Sequence, residues 1–312
     1  MDESEKWDIV RAFPINPTAG MFSGINQLVN QWEWADREQK IVGADWRECV
    51  YSREFGVHDA WDQYFQRVDH FATQVHPLSP TKTRYMGNGR YNIITPRGPT
   101  CVSKGTWEFG VKAADASRVV LLPPMRPWRA HHLLRNNLVI KPEILVQVNA
   151  MAEDWEEGGP MIGCHVRGAL RKHGGVECML EEMGQKGPPL GLYYEHLDPI
   201  MQEEPNARIF LATDDMCVRD AFDLHFGCSR VVWRQESHVI RRGEPHLRQG
   251  EEPTADHRHN LGVDVLVEAL LLCRTSYYVH GNSNVTNFTQ CWAPGHGHFD
   301  IFGSFYEDHG WL

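Results

Sequence analysis

From residue 160 onward, short apolar runs bounded by turn residues alternate with segments of helical period, and this alternation limits the fold more than any other feature. The run over 160–166 reads as a strand. A Gly- and Pro-bearing insert comes after it, then a helix near 193–203, the strand "ARIFLATDD" (207–215) and a helix beginning near Met216. Next come the strand "SRVVW" (229–233), a polar loop from Gln235 to Asn260, the helix "GVDVLVEALLLCR" (262–274), the strand "SYYVHG" (276–281) and the turn-to-helix "NSNVTNFTQCW" (282–292). A strand joined to the next strand through a helix is a crossover, which makes the two strands parallel and lays the helix on a face of the sheet. The expectation is a doubly wound α/β domain.

The first half starts in the same way. "WDIVRAF" (7–13) reads as a strand and "NPTAGMFSG" (16–24) as a turn-rich loop. Apolar residues at 25, 28, 29, 32 and 35 then keep a helical period, and "KIVGADW" (40–46) reads as a second strand. Residues 50–110 are rich in aromatics, Gly and Pro with weak periodicity, a composition that suits either packing or an irregular binding face. "ASRVVLLPP" (116–124) reads as a short buried strand stopped by two prolines. "KPEILVQVNAMAEDWEEGG" (141–159) places Pro142 in a first helical turn with apolar residues at 144, 145, 148 and 151 or 152. Two doubly wound, Rossmann-like domains facing a cleft are expected, joined within 140–160 and divided as 1–145 and 146–312.

At 312 residues the chain is long enough for two such domains, each with a substantial core. Its formal net charge of -10 argues against holding nucleic acid or an anionic membrane by bulk electrostatics, although a local basic pocket stays open. The N-terminus "MDESEKWDIV" lacks the basic and apolar regions of a signal peptide, and no apolar run reaches the roughly 18 residues of a membrane span. The eight cysteines contain no C-x-x-C pair, so buried reduced thiols in a cytoplasmic protein are expected rather than a disulfide framework or a zinc site. The sequons at Asn284 and Asn287 are read as coincidental.

In open parallel sheets, ligands collect outside the carboxyl ends of the strands. Three such ends carry polar groups: His165 with Arg167, Thr213-Asp214-Asp215, and His280 to Asn284. An arginine there has the fork geometry of a phosphate partner. Asn282, Ser283 and Asn284 open a helix, whose free amides and dipole favour an anion. Each feature also has an ordinary reading. His-x-Arg suits a polar surface strand end, and Asp-Asp suits a helix N-cap. No third oxygen ligand accompanies Asp214 and Asp215 at a recognisable spacing, so no metal site is expected, and the Gly20 loop lacks G-x-G-x-x-G, so no dinucleotide cofactor is expected. His238, His246, His257 and His259 fall in the 235–260 loop, either a lid or a solvated surface loop, without the spacing of a structural zinc site.

"IGCHVRGAL", "ARIFLATDD" and "DVLVEALLLCRTSYYVHGNSNVTNF", in this order and at these separations, resemble the donor half of GDP-fucose-dependent fucosyltransferases of GT-B fold. That superfamily contains the α1,6-fucosyltransferases, the rhizobial nodulation enzymes and the protein O-fucosyltransferases. "GMFSGINQLVN" and the segment from Asp45-Trp46 to Trp61–Phe65 are similar to the first-half glycine loop of those enzymes and the segment next to it. The resemblance covers about 160 residues well and the first 70 loosely.

The resemblance implies that His165 faces guanine, that Arg167 holds the β-phosphate of GDP-fucose as the catalytic residue, and that Asp214 and Asp215 lie beside the nucleotide. By spacing to Tyr277–Val279 it implies Glu268 as the carboxylate that reads guanine, with Asp264 one turn earlier on the same helix face. Asn282, Ser283 and Asn284 would complete the phosphate site, and Gly20, Ser23 and Asn26 would meet the donor from the glycine loop. The implied reaction is inverting and metal-independent, moving fucose to a glycan or other hydroxyl acceptor with no cofactor beyond the donor. Gly168 succeeds Arg167 where α1,6 enzymes carry a second arginine, which is closer to the O-fucosyl pattern. A transferase using another nucleotide sugar, or a non-catalytic nucleotide- or glycan-binding protein, are the alternatives. Asp45, Asp59 and Asp62 are read as structural or solvated rather than as a general base.

Overall fold

The structure is a computed structural model that describes residues 9–12, 20–37, 41–44, 46, 49–53, 59–66, 83–85, 91–95, 98–101, 127–156, 158–166, 190–234, 255–281 and 283–301. It divides into two compact units, Met1–Lys141 and Pro142–Leu312.

In the first unit, β1 (Ile9–Ala12) and β2 (Ile41–Ala44) pair in parallel across helix α1 (Met21–Arg37), as the periodicity predicts. The helix starts inside the segment read as a loop. Met21 and Phe22 extend the buried stripe of Ile25, Leu28, Val29 and Trp32 by one turn, and the Gly24 amide donates to the Gly20 carbonyl at 3.2 Å. Burying that extra turn outweighs the modest helix penalty of a single glycine.

Helix α2 (Trp61–Tyr64) runs into strand β3 (Phe65–Gln66), where the aromatic residues pack rather than line a surface. Trp46, Trp61 and Phe65 meet with ring centroids 4.6 to 6.1 Å apart. The Asp59 carboxylate accepts the backbone amides of Trp46 and Trp61, both at 2.9 Å. Asp59 thus has a structural role, and Asp62 is exposed; Asp45 lies outside the described residues.

Strands β4 (Thr83–Tyr85), β5 (Tyr91–Thr95) and β6 (Gly98–Cys101) form an antiparallel meander within the stretch read as irregular. Helix α3 (Pro127–Asn137) and β7 (Val139–Ile140), which pairs antiparallel with β3, end the unit. A full doubly wound sheet was expected here. Among the described residues, the parallel part is the single pair β1–β2, and the strand read over 116–124 lies outside them.

The second unit opens with helix α4 (Pro142–Glu156), its proline in the first turn. Then come β8 (Met161–Val166), α5 (Leu190–Glu203), β9 (Arg208–Thr213), α6 (Met216–Phe226), β10 (Val231–Val232), α7 (Ala255–Leu272), β11 (Tyr277–His280), α8 (Asn284–Trp292) and β12 (His298–Asp300). The strands form one parallel sheet in the order β10-β9-β8-β11-β12. The chain begins at the centre, winds outward through β9 and β10, then crosses back to β11 and β12. That reversal puts a topological switch point between β8 and β11, the place at the carboxyl ends where open α/β sheets bind their ligands.

Every residue of β8 is buried, which explains its uninterrupted apolar run. The polar loop read over 235–260 is helical from Ala255, with Asp256 in the first turn. Polar side chains on an exposed turn do not stop a helix that later residues anchor. The expected lid segment, with His238 and His246, lies outside the described residues, whereas His257 and His259 sit in α7. Free thiols occur at Cys49, Cys164, Cys217, Cys228, Cys273 and Cys291; Cys49, Cys164 and Cys291 are buried, whereas Cys217 and Cys228 are exposed. Among the described residues, no helix is long and apolar enough to cross a membrane.

Candidate functional site

His165 sits one residue from the end of β8, paired in register with His280 of β11 and Ala212 of β9. It is 8 % exposed. On the far side of the switch point, β11 gives way to the turn that starts α8. Ser283 is the extended N-cap of that helix, and its Oγ accepts the Thr286 amide at 3.1 Å. The same Oγ lies 3.4 Å from His165 Nδ1 and 3.0 Å from Thr286 Oγ1, while Thr286 donates through Oγ1 to the Gly281 carbonyl at 2.9 Å. A histidine edge and a helix N-terminus are thereby joined at the crevice. The cap already takes the Thr286 amide of the first turn, and the positive end of the helix dipole at this N-terminus favours an anion. Arg167 and Asn282 lie outside the described residues.

The carboxyl end of β9 supports a second group. Asp215 caps α6, its Oδ1 accepting the Cys217 amide at 2.9 Å, and its own amide donates to Thr213 Oγ1 at 3.3 Å. That is the helix-capping role open to an Asp-Asp pair at a strand end. Asp214, half-buried, is one of several charges acting on Glu268 of α7.

Asp264 and Glu268 occupy one stripe of α7 and meet two arginines. Arg234 Nη2 lies 2.9 Å from Asp264 Oδ1, with both side chains almost fully buried, and it also donates to Gln147 Oε1 at 2.8 Å. The Arg219 guanidinium stands 4.5 Å over the Trp233 ring. Glu268 is half-buried as a residue, yet its Oε1 is sealed from solvent and has no hydrogen-bond partner. Burial, opposed by Arg219, pushes its carboxyl up to about 8, with Asp264 and Asp214 adding to the rise. The cluster therefore presents a neutral acid with an unsatisfied oxygen, beside a balanced set of charges. An unsatisfied buried acceptor costs on the order of 1–3 kcal/mol, which a ligand N–H donor would recover.

Gly20, Ser23 and Asn26 belong to the first unit, at the start of α1. Ser23 and Asn26 are buried, and Gly20 lies against the Tyr51 hydroxyl. Of the remaining residues expected at the site, the second unit joins His165 with Ser283 at one end of the sheet and Asp214 with Asp264 and Glu268 in the charge cluster. Sequence reasoning passed over Arg234, Arg219, Trp233 and Gln147. Arg234 directly succeeds the "SRVVW" strand, so the strand-end rule applied to Arg167 would have found it. Arg219 carries no such signal, because its partners come from other elements. Among the described residues, no three His, Cys, Asp or Glu side chains are grouped so as to hold a metal ion.

The sequence matches no protein-family model and no curated protein sequence. Solved structures do match. NodZ alpha-1,6-fucosyltransferase soaked with GDP-fucose aligns over 93% of this chain and 94% of its own, with a TM-score of 0.56 and 17% identity; a NodZ structure from Bradyrhizobium aligns over 93% and 92%, with a TM-score of 0.52 and 17% identity. A variant of Arabidopsis thaliana FUT1 in complex with GDP aligns over 96% of this chain and 71% of its own, with a TM-score of 0.50 and 12% identity. POFUT1 in complex with GDP-fucose aligns over 94% and 96%, with a TM-score of 0.50 and 12% identity. The chain has the α/β fold of these GT-B enzymes.

Proposed function

We propose that this chain is a glycosyltransferase that moves fucose from GDP-fucose to a hydroxyl of a glycan or other acceptor, with inversion and without a metal ion in the transfer step. The observation that carries the reading is the meeting of His165 and Ser283 across the switch point, beside the N-terminus of α8. This is where a doubly wound sheet binds a nucleotide and where helix amides can receive a diphosphate. The named ligands of the fold neighbours, GDP-fucose and GDP, are of the class such a crevice suits.

In the proposed reaction the bond from the sugar's anomeric carbon to the β-phosphate oxygen breaks, and its electron pair leaves with GDP. The acceptor oxygen attacks from the opposite face and its proton passes to solvent water. Negative charge therefore grows on the diphosphate as the bond lengthens. Arg167, the next residue but one after His165, and the α8 amides would stabilise that charge more in the transition state than before it, which is the condition for catalysis. Glu268, with Asp264 a turn earlier, would read the guanine edge, the unsatisfied Oε1 accepting an N–H of the base.

The direct test is thermal stabilisation by GDP, UDP and ADP, and then consumption of GDP-fucose with a panel of hydroxyl acceptors. A ligand bound only by the folded state raises stability with its concentration. GDP should stabilise most, and GDP-fucose should be consumed in an acceptor-dependent way. Equal response to all three nucleotides rejects the donor assignment. Binding of GDP with no turnover across the panel would mark a binding protein instead.

A further inference from the structure

On the β12 side of β11, three side-chain atoms from three elements converge, with His280 the register partner of His165 in β8. His280 Nε2 of β11 lies 3.2 Å from His298 Nδ1 of β12. Gln290 Nε2 of α8 lies 3.2 Å from the first and 3.3 Å from the second. The triangle they form has near-equal edges. His280 is 1 % exposed, whereas His298 is open to solvent.

Protons alone do not satisfy this triangle. A hydrogen bond needs one donor and one acceptor, and each ring nitrogen holds one role at a time. Among three atoms in mutual contact, two must share a role, so at least one edge sets donor against donor or lone pair against lone pair. The His280 role is fixed from behind: its Nδ1 lies 3.2 Å from the Gly281 carbonyl, which only an N–H can approach favourably, so Nε2 presents its lone pair.

A cation removes the conflict. Turning the Gln290 amide by half a rotation exchanges Nε2 for Oε1, a choice set by the surrounding hydrogen bonds. Three lone pairs then converge on one point. Zinc holds nitrogen and oxygen ligands at about 2.0–2.1 Å in a tetrahedron, which sets the ligand atoms roughly 3.3 Å apart. The observed edges of 3.2, 3.2 and 3.3 Å fit one face of that tetrahedron. The Gly281 carbonyl behind His280, with Asp300 Oδ1 at 3.9 Å from the same Nδ1, supplies the outer partners that orient a metal-binding imidazole. The solvent side beside His298 leaves the fourth position for water.

We propose that His280, His298 and Gln290 form a zinc site that ties the edge strand β12 to β11 and to helix α8. It takes no part in the transfer step proposed above, although His280 neighbours His165 in the sheet and Gln290 belongs to α8. Its role is to hold the edge of the sheet.

The test uses the full chain, stripped with chelator and titrated with Zn2+ alone by calorimetry and by thermal unfolding. One zinc per chain should bind, the melting temperature should rise with the logarithm of free zinc, and Mg2+ should have no such effect. X-ray absorption should show only nitrogen and oxygen ligands at about 2.0 Å. His298→Ala removes an exposed ring and should weaken binding at least tenfold, whereas His225→Ala, at another exposed histidine, should leave it unchanged. Gln290→Glu should tighten binding by adding a charged ligand. Absence of stoichiometric binding, sulfur in the absorption spectrum, or wild-type affinity in His298→Ala would each overturn the site. The last outcome would assign the zinc to other histidines of the 17 in the chain.

Discussion

Ser283 Oγ lies 3.4 Å from His165 Nδ1, although 118 residues separate them. The contact exists because β8 and β11, adjacent in the sheet but reached by opposite windings of the chain, end side by side. One residue thus does two jobs: it caps α8 and fixes the edge of the crevice that the helix amides face.

Those jobs separate by substitution. Aspartate is as good an N-cap as serine, and its charge suits the helix dipole, so Ser283→Asp should keep thermal stability within about 1 kcal/mol of the parent. The same carboxylate would repel a diphosphate, and GDP affinity should fall more than tenfold. Ser283→Ala should show the reverse balance, losing about 1 kcal/mol of stability with the cap while adding no repulsive charge. Parental GDP affinity in Ser283→Asp would remove the α8 terminus from the phosphate site.

Glu268 gives a pH-dependent expectation. Its folded pKa of about 8 stands above the ordinary 4.5, so the folded protein holds an extra proton between these values. Its contribution to stability is full below about 4.5, declines as pH rises toward 8 and levels off above. Glu268→Gln should flatten that decline and exceed the parent in stability at pH 8 and above, read by denaturant unfolding across pH. If the carboxylate reads guanine in its ionised form, GDP binding at pH 7 must release a proton, measurable as a dependence of binding heat on the buffer's ionisation heat. Glu268→Gln should abolish the release and weaken GDP by roughly 10- to 150-fold, the worth of a hydrogen bond to a charged group. No proton release in the parent would count against that role.

Gly163 lies in the middle of β8, beneath the switch point. A Cβ there would stand 2.6 Å from Thr275 Oγ1 and 3.2 Å from Leu272 Cδ2. Thr275 is buried and cannot swing away freely, because its hydroxyl donates to the Leu272 carbonyl at 2.8 Å. Gly163→Ala should cost about 1–3 kcal/mol, as overpacked cores do, and Thr275→Ala in the same chain should restore part of it. Full stability in the single variant would contradict this packing.

The second unit was legible because its central strands are buried on both faces and read as continuous apolar runs. His165 and Ser283 were singled out by the rule that ligands collect at strand ends, and the structure brings the two side chains within 3.4 Å of each other. The edge strand β12 left no such trace: His298–Asp300 carries one apolar residue and owes its pairing to β11. Between β5 and β6 the sequence is Pro-Arg, which lacks the Asn-Gly signature of a two-residue hairpin connection. Arg219 and Arg234 were missed for a different reason. Their meaning lies in Trp233, Asp264 and Gln147, which local periodicity does not connect to them.

The strongest demand of the proposed function falls on Arg167. A guanidinium oriented on a leaving diphosphate is already in place when charge develops, so its removal costs transition-state stabilisation without an equal loss of donor binding. Arg167→Ala should lower kcat by about 100- to 1000-fold, the effect of deleting one preorganised donor. Arg167→Lys should recover little, because a point charge does not reproduce the two-pronged bond. Steady-state kinetics with GDP-fucose and an accepted hydroxyl substrate, together with a melting curve to show that each variant is folded, checks both. A folded Arg167→Ala enzyme with undiminished kcat would strip the residue of its catalytic role.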